Sequence, residues 1–358
     1  MGEENGPLPL NRRALLAAAV ITGAGTAGVG GFLFAENAIG PARLTARRIV
    51  DGLQAANGFV PGYRRNHAKG VAVAGRFESN GAGTELSTAA VFRLGSYPVH
   101  GRFSLAGGKP FAPDVLDARR GLGLRVTLPA GEEWRLALLN IPVFTDTSAQ
   151  DFHDRTAAYA PDPATGKPDP ERVRAYLATH PKTAAALEII KRNPPAASFA
   201  TSTFHGLNAF ECVDAQGTRT PVRWRLEPET TGATGASGAS GDDQLFTGLV
   251  RDLRRESLRW KLIAVVGNRG TDPTHDPTIP WPAERRGIDT GTLILTGVAS
   301  ESAANVRDVN FDPLVLPNGI AASDDRVLQA RSAAYAESYR RRAGETATRQ
   351  PLRVEGLA

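Results

Sequence analysis

The stretch GVAVAGRFE, residues 70–78, alternates apolar residues with small or polar ones. A period of two is typical of a β-strand that buries one face, because successive side chains point to opposite sides. Other strand candidates are bounded by Gly, Pro or Asp: AAVFRL (89–94), LGLRVTL (122–128), WRLALLNIPVF (134–144), RWKLIAVV (259–266) and GTLILTGV (291–298). AFECVDAQGTRTPVRWRLEP (209–228) predicts a hairpin turning at residues 215–217. Strands joined mostly without helices predict an antiparallel barrel or sandwich with helices at its ends.

Helices are predicted outside these strands. PARLTARRIVDGLQAA (41–56) has the pattern of an amphipathic helix, and the polar stretch 147–191 has helical character. A long helix is predicted from about Ser323 to residue 342. Either Ser323 or Asp324 can cap its start, and Gly344 can end it.

Composition limits the class of protein. The chain has 358 residues, of which 41% are hydrophobic and 22% charged, so it can fold around a cofactor. The net charge is +5, but acidic and basic residues are interleaved without zinc-finger or RNA-motif spacing, which argues against a nucleic-acid partner. A single cysteine, Cys212, excludes an internal disulfide and a cysteine-based zinc cluster. TTGATGASGASGDD (230–243) predicts a flexible loop.

The first forty residues differ from the rest. Arg12 and Arg13 precede an uncharged stretch, residues 14–35, that is long enough to span a bilayer. This pattern predicts a twin-arginine type export signal in residues 1–40 and a periplasmic or other extracytoplasmic location. An uncleaved single-pass anchor in the inner membrane is the alternative, and a buried helix is a third interpretation.

Two further stretches carry residues suited to chemistry. PGYRRNHAKGVAVAG (61–75) places Arg64 three residues before His67, at the entrance of a predicted strand. In RSAAYAESYRRR (331–342), a helix would put Arg331, Tyr335 and Arg342 on one face. Taken separately, a surface loop and a solvated basic helix are the simpler interpretations.

Together, the pattern R-x-x-H-A-K-G followed by R-x-x-x-Y-x-[DE] resembles the two signatures of haem catalases. Other segments are similar to the family in the same order: GRFSLAGG (101–108), NIPVF (140–144), HGLNAFECVDAQG (205–217), IPWP (279–282) and NFDPLVLPNGIAAS (310–323). The resemblance is closest to the small exported catalase-related peroxidases. It implies an α+β fold, an antiparallel β-barrel of about eight strands with flanking helices, in a short form that lacks the C-terminal extension. A haem-binding domain would then occupy residues 41–345, between the leader 1–40 and a tail 346–358.

The resemblance also implies how haem b would be held. Tyr335 falls at the position of the proximal iron ligand, a role that an ionised phenol can fill, and Arg331 is its charge partner. Arg64, Arg102 and Arg342 fall where arginines pair with the haem propionates, because carboxylates buried in a barrel need charge-assisted partners. The other arginines of the two motifs are expected to lie in solvent: Arg65, Arg340 and Arg341.

On the distal side, the resemblance assigns His67 the transfer of a proton between the two oxygens of the peroxide. Ser104 would orient its imidazole, and Phe152 would stack on the haem. The family commonly has an asparagine three residues before the proline of Pro-Val-Phe, whereas this chain has Leu139 there and Asn140 one position later. Either a bulge re-aims Asn140 into the site, or the distal site lacks its amide and favours peroxidase over catalase turnover.

The leading hypothesis is an exported haem b peroxidase that reduces hydrogen peroxide, and organic hydroperoxides as well, with a small-molecule electron donor. Weak catalase activity is compatible with it. A catalase-fold enzyme that rearranges fatty-acid hydroperoxides is the first alternative. A haem-binding sensor without turnover is the second.

Overall fold

The strands of this computed structural model form one antiparallel sheet that closes on itself. The structure describes residues 44–230, 241–347 and 352–357. Its strands are β1 (Gly70–Ser79), β2 (Gly95–Leu105), β3 (Arg120–Thr127), β4 (Glu133–Leu139), β5 (Phe204–His205), β6 (Phe210–Val213), β7 (Arg219–Pro228), β8 (Leu258–Val266), β9 (Gly287–Ala299) and β10 (Ile320–Ala322). Eight of them follow the order β7-β5-β4-β3-β2-β1-β9-β8, and β8 pairs back with β7. The predicted eight-stranded barrel is confirmed.

A bulge between β1 and β9 bends the sheet where the barrel curves. The register shifts between Ala74 and Gly75 against β9. A side chain at Gly75 would place its Cβ 2.0 Å from the carbonyl oxygen of Ile294, so only glycine allows this approach. Bulges increase local twist and help to close barrels.

The helices of the described residues flank the barrel: α1 (Ala46–Asn57), α2 (Ala149–Ala158), α3 (Pro170–Thr179), α4 (Pro181–Arg192), α5 (Gln244–Arg255) and α6 (Arg326–Ala343). The helices predicted in 41–56 and in 147–191 are confirmed as α1 and as α2 to α4. The sequence patterns did not indicate α5, although its Leu245, Phe246 and Leu249 are buried in the barrel core. None of the described helices is both long enough and apolar enough to cross a bilayer.

The long helix α6 begins later than predicted. Its N-cap is Asp325, whose Oδ1 accepts hydrogen bonds from the backbone N–H groups of Val327 (2.8 Å) and Leu328 (3.3 Å). The expected caps, Ser323 and Asp324, are therefore wrong. Burial selects Asp325, because its second carboxylate oxygen accepts a 2.6 Å hydrogen bond from Asn208 Nδ2, 117 positions earlier in the chain. Gly344 ends the helix as predicted.

The stretch AAVFRL is not a strand. Residues Ala90–Phe92 form a 3₁₀ turn that buries Val91 and Phe92 in the barrel core, where Phe92 packs edge-on against Trp134. The neighbouring strand β2 carries the pairing with β1 and β3 instead. A short apolar run has the same pattern whether it is a strand or an inserted turn, so periodicity could not separate them.

Several sequence predictions fall partly or wholly on residues outside the described ranges. They are the export signal or anchor in residues 1–40, most of the 230–243 loop and the middle of the C-terminal tail. The described end of the tail packs on the barrel, where Val354 is buried and its N–H donates to Ser300 Oγ at 2.9 Å.

Candidate functional site

A cavity lies between strands β2, β3 and β4 on one side and helices α1, α2 and α6 on the other. With its mouth, the cavity encloses about 1200 Å³. It brings together these predicted site residues: Arg64, His67, Arg102, Ser104, Phe152, Arg331, Tyr335 and Arg342. Barrel closure brings the residues between Arg64 and Phe152 next to those of the C-terminal helix α6.

Helix α6 supplies the tyrosine side of the cavity. Arg331, Tyr335 and Arg342 all line it, as expected for residues on one helical face. Tyr335 packs against an apolar cluster that includes Val306, Val309 and other buried residues of the segment before β10. The alternative of a solvated basic helix is therefore wrong for this face.

Arg331 is held in a fixed orientation beside Tyr335. Its Nη1 donates to Asn208 Oδ1, and its Nη2 donates to the carbonyl oxygen of Ala137 at 3.2 Å. Its guanidinium also lies over the Phe144 ring, 5.9 Å from the centroid. Asn208 thus links Arg331 to the N-cap of α6. Sequence reasoning missed Asn208, whose only signal was its place in the HGLNAFECVDAQG segment.

The three arginines expected to lie in solvent differ in how exposed they are. Arg340 is exposed and pairs with Glu337, as expected. Arg341 is only 15% exposed and its Nη1 contacts Asp51 Oδ1 at 2.7 Å. Arg65 is 4% exposed and donates to Glu345, 280 positions away. The expectation for Arg65 was wrong, because its carboxylate partner becomes a neighbour only through tertiary contacts.

His67 is fixed at both its backbone and its ring. Its φ of 55° lies in the left-handed region, and Arg102 Nη1 holds the strained turn by donating to its carbonyl oxygen at 2.7 Å. Its Nδ1 lies 3.1 Å from Ser104 Oγ, and that hydroxyl lies 3.5 Å from the carbonyl oxygen of Gly121. A Cβ on Gly121 would come within 2.9 Å of His67 Nδ1, so this pairing requires a glycine opposite.

These contacts determine the chemistry that the imidazole can perform. Burial, followed by the positive charges of Arg102, Arg331 and Arg64, lowers the pKa of His67 to about 3. The ring is therefore neutral near pH 7. If Ser104 donates its one proton to Gly121, Nδ1 carries the ring proton and donates to Ser104. Nε2 is then the unprotonated nitrogen, free to act as a base in the cavity.

Asn140 lies outside the group of residues that line the cavity, whereas Leu139 lines it. Asn140 Oδ1 accepts a 2.6 Å hydrogen bond from the backbone N–H of Arg120, and Asn140 N–H donates to Arg120 O at 3.0 Å. The amide oxygen therefore secures the start of β3, while Asn140 Nδ2 is buried without a hydrogen-bond partner among the described residues. Of the two alternatives left open by the sequence, this geometry favours the one in which Asn140 takes no part in the distal site.

Arg64, Arg102 and Arg342 meet at one end of the cavity, with one buried carboxylate, Glu301, beside them. Glu301 accepts from Arg64 Nη1 at 3.3 Å and from Arg102 Nη2 at 3.2 Å. Arg342 differs, because its Nε and Nη2 are buried and have no hydrogen-bond partner among the described residues. Sequence reasoning missed Glu301, since an isolated acid after a strand is a weak signal.

The residues present fit a haem group. The unpartnered nitrogens of Arg342 are costly to bury, and a carboxylate at this end of the cavity would satisfy them. The parallel rings of Phe144 and Phe152, with centroids 6.2 Å apart and 15° between their planes, line the cavity beside Tyr335. A flat, apolar ligand with carboxylates at one edge and an atom that binds a phenol matches this arrangement.

Comparisons with known proteins agree with this arrangement. A model of the catalase family matches residues 35–354. A catalase-related peroxidase of Synechococcus elongatus is 35% identical over 332 residues, which cover 92% of this chain and 95% of that protein. A catalase-related peroxidase of Mycolicibacterium paratuberculosis is 31% identical, covering 84% of this chain and 96% of that protein.

Solved structures show the same fold. A bacterial catalase superposes with a TM-score of 0.69 at 22% identity, and catalase A of Saccharomyces cerevisiae with a TM-score of 0.71 at 20% identity. Each match covers 80% of this chain, which spans 58% and 62% of those catalases respectively. Proteins of the catalase family generally bind haem. Because the family model extends over nearly all of the described residues, the chain belongs to the catalase family.

Proposed function

We propose that this protein is a haem b peroxidase that reduces hydrogen peroxide to water with electrons from a small reductant. Membership of the catalase family and similarity to two catalase-related peroxidases support an oxidoreductase that acts on peroxide. The observation that carries the proposal is the meeting of His67, Arg331 and Tyr335 in one cavity.

The chain's own residues account for how the haem would be held. Bound haem would supply a redox-active iron, the group through which electrons pass from the reductant to the peroxide. Tyr335 would bind the iron through its phenolic oxygen, and the positive charge of Arg331 one helical turn away favours the anionic phenolate. Arg342, with Arg64 and Arg102, would pair with the propionates.

His67 acts on the peroxide as a base and then as an acid. Its neutral Nε2 takes the proton from one peroxide oxygen and returns it to the other, which leaves as water when the O–O bond breaks. The contact with Ser104 keeps Nε2 facing the substrate. Two electrons and two protons complete the reduction of each peroxide molecule to water, and the reductant supplies them.

The apolar wall around His67 favours peroxidase turnover over rapid catalase turnover. Leu139 stands where an amide could otherwise donate a hydrogen bond to hydrogen peroxide. Phe144, Phe152 and Leu53 add apolar surface elsewhere in the cavity. This surface also accepts the alkyl part of an organic hydroperoxide.

Replacement Leu139→Asn is expected to increase donor-independent consumption of hydrogen peroxide by about tenfold. The new amide would add one hydrogen bond to bound peroxide, which contributes about 1 kcal/mol or slightly more in a buried site. Oxygen evolution with and without a dye donor measures the change. Leu53→Asn, which adds the same amide to the helical wall of the cavity, is the matched control and should show no increase. An unchanged rate in Leu139→Asn would contradict this role of the wall.

Rearrangement of fatty-acid hydroperoxides is the second candidate reaction, and the apolar wall with Leu139 is the observation that favours it. In that case the oxygen atoms stay on the lipid and no donor is oxidised. Product analysis separates the two reactions: rearranged oxide without oxidised dye would contradict peroxidase function.

The first experiment is an optical spectrum of the purified protein after addition of ferric protoporphyrin IX, followed by peroxide with and without a dye donor. A high-spin ferric spectrum of the tyrosinate type, with donor-dependent loss of peroxide, is expected. Absence of haem binding would contradict the proposal. Binding without peroxide consumption would instead favour the non-catalytic sensor.

We also propose an extracytoplasmic location. Residues 1–40, with Arg12 and Arg13 before an uncharged stretch, support export across the inner membrane. Replacing both arginines by lysine is expected to retain the protein in the cytoplasm, as measured by cell fractionation. Unchanged distribution of the double variant would contradict a twin-arginine signal.

A further inference from the structure

The arginine cluster of the cavity contains its own anion. Glu301 lies two residues after the end of β9, 199 positions from Arg102 and 237 from Arg64, and pairs with both. The side chains of Arg102 and Glu301 are 3% and 6% exposed. Glu301 is therefore a carboxylate buried among the residues expected to bind carboxylates of the ligand.

The carboxylate of Glu301 sets the net charge of the arginine cluster. Arg64, Arg102 and Arg342 carry three positive charges, and Glu301 reduces their sum to two. The neighbouring charges of Arg307 and Asp308 cancel, because these two side chains pair with each other at 2.9 Å. Burial raises the pKa of Glu301, but the charges of Arg102, Arg64 and Arg342 and the hydrogen bond from Arg102 together lower it by more, so the net pKa lies below its usual value. Glu301 is ionised at neutral pH. Two residual positive charges equal the charge of the two propionates of one haem.

Glu301 also occupies donors that a propionate would need. Arg102 donates two hydrogen bonds to Glu301, one from Nε and one from Nη2. Its other Nη2 proton goes to the carbonyl oxygen of Ala68 at 3.0 Å, and one Nη1 proton goes to the carbonyl oxygen of His67 at 2.7 Å. One N–H of this guanidinium is left, so it cannot hold a propionate through two hydrogen bonds unless Glu301 moves away.

Arg64 is similarly engaged. Its Nη2 donates to the carbonyl oxygens of Val306 and Val309, at 3.1 and 3.0 Å, while its Nη1 donates to Glu301. Arg342, by contrast, has no hydrogen-bond partner for its Nε and Nη2 in the part of the chain that the structure describes. Arg342 is therefore ready for a propionate in the haem-free protein, whereas Arg64 and Arg102 are shared with Glu301.

Glu301 is placed so that it can release Arg64 and Arg102. Glu301 lines a polar cleft, and Arg64, Tyr339 and Arg342 line both this cleft and the haem cavity. The carboxylate thus contacts the arginines from the cleft side, where rotation of its side chain leads toward solvent and not into the core.

We propose that Glu301 is the internal counterion of the haem-propionate arginines. It stabilises the folded protein before haem is bound, and it lowers haem affinity because it competes with the propionates for Arg64 and Arg102. This inference rests on the haem binding proposed above and concerns the loading of the cofactor, not the reaction with peroxide.

Glu301→Gln keeps the shape of the side chain and removes its charge. Glu345→Gln is the matched control, because Glu345 pairs with the buried Arg65, which does not line the cavity. Both variants are expected to lower the melting temperature of the haem-free protein, since each leaves a buried guanidinium without its anion. The readouts are the melting temperature with and without ferric protoporphyrin IX, and the dissociation constant from an optical titration.

In Glu301→Gln, haem should raise the melting temperature by more than it does in the wild type, because the propionates supply the missing negative charge. The dissociation constant should fall about tenfold. Glu345→Gln should show the wild-type increase and the wild-type affinity. Unchanged or weaker haem binding by Glu301→Gln would overturn the proposal. If the wild type bound no haem in the titration, the proposed function itself would be contradicted. If the wild type bound haem but Glu301→Gln did not bind it more tightly, only the role of Glu301 would be contradicted.

The role of Glu301 can be tested even if Glu301→Gln does not fold without haem. If haem-free Glu301→Gln does not fold, it can be refolded with ferric protoporphyrin IX or with its dimethyl ester, which lacks the two negative charges. Recovery of folded protein with the diacid alone would support the role of Glu301. Equal recovery with both compounds, or with neither, would contradict it.

Discussion

Tyr335→Phe is expected to lose the tyrosinate-type spectrum and to reduce peroxide consumption by at least about 100-fold. The phenolic oxygen is the atom that would bind iron, and phenylalanine removes it without changing the packing of the ring against Val306, Val309 and Phe311. The variant should therefore fold normally. Its haem should bind weakly and dissociate during gel filtration, which an optical spectrum of the eluted protein measures.

Tyr339→Phe is the matched control for this experiment. Tyr339 is one helical turn further along α6 and lines the same cavity, but its ring lies beside the Arg342 guanidinium, 5.4 Å from it. Its phenol is not assigned to iron, so this variant should keep the wild-type spectrum. If Tyr335→Phe retained full haem content and an unaltered spectrum, the assignment of the iron ligand would be wrong.

His67→Gln is expected to reduce the rate of peroxide consumption by about 10²- to 10⁴-fold while haem content stays unchanged. Glutamine can still occupy the space near Ser104, but it cannot accept the proton of the peroxide and return it. The proposed iron ligand, Tyr335, is on α6, so the spectrum of the ferric protein should keep its tyrosinate character. Stopped-flow mixing with peroxide separates this step from oxidation of the donor.

The wild-type pH profile provides a second test of the same residue. Because burial and the nearby arginines lower the pKa of His67 to about 3, the base form predominates throughout the neutral range. The rate of the peroxide step should therefore be level between about pH 8 and pH 5 and should fall only as the pH approaches 3. A loss of rate centred near pH 6.5 would contradict this electrostatic environment.

His205→Gln is the control for a buried histidine. His205 lies in β5, and burial followed by the charge of Arg225 lowers its pKa to about 4, yet it does not line the cavity. This variant should keep the peroxide rate. A matching loss of rate in both histidine variants would mean that the effect comes from the fold and not from proton transfer by His67.

The sequence by itself determined the features that depend on local pattern. Period-two alternation in GVAVAGRFE and its counterparts predicts strands, because side-chain direction in a strand repeats every two residues. The spacing of Arg331, Tyr335 and Arg342 predicts one face of α6, because helical side chains repeat every 3.6 residues. These patterns, with the catalase-like motifs, were enough to predict the barrel and eight of the residues that line its cavity, whereas the ninth predicted site residue, Asn140, does not line it.

Only the tertiary structure decided features that depend on distant partners. Asp325 caps α6 because Asn208 reaches it, and Arg65 is buried because Glu345 pairs with it. Glu301 joins Arg64 and Arg102 because β9 closes against β1. Leu139 lines the cavity, and Asn140 does not, because β4 ends there and the amide secures β3. Buried charges require neighbours, and the neighbours come from segments up to 280 positions apart. Local sequence specifies the type of each element, whereas closure of the barrel specifies which polar groups meet.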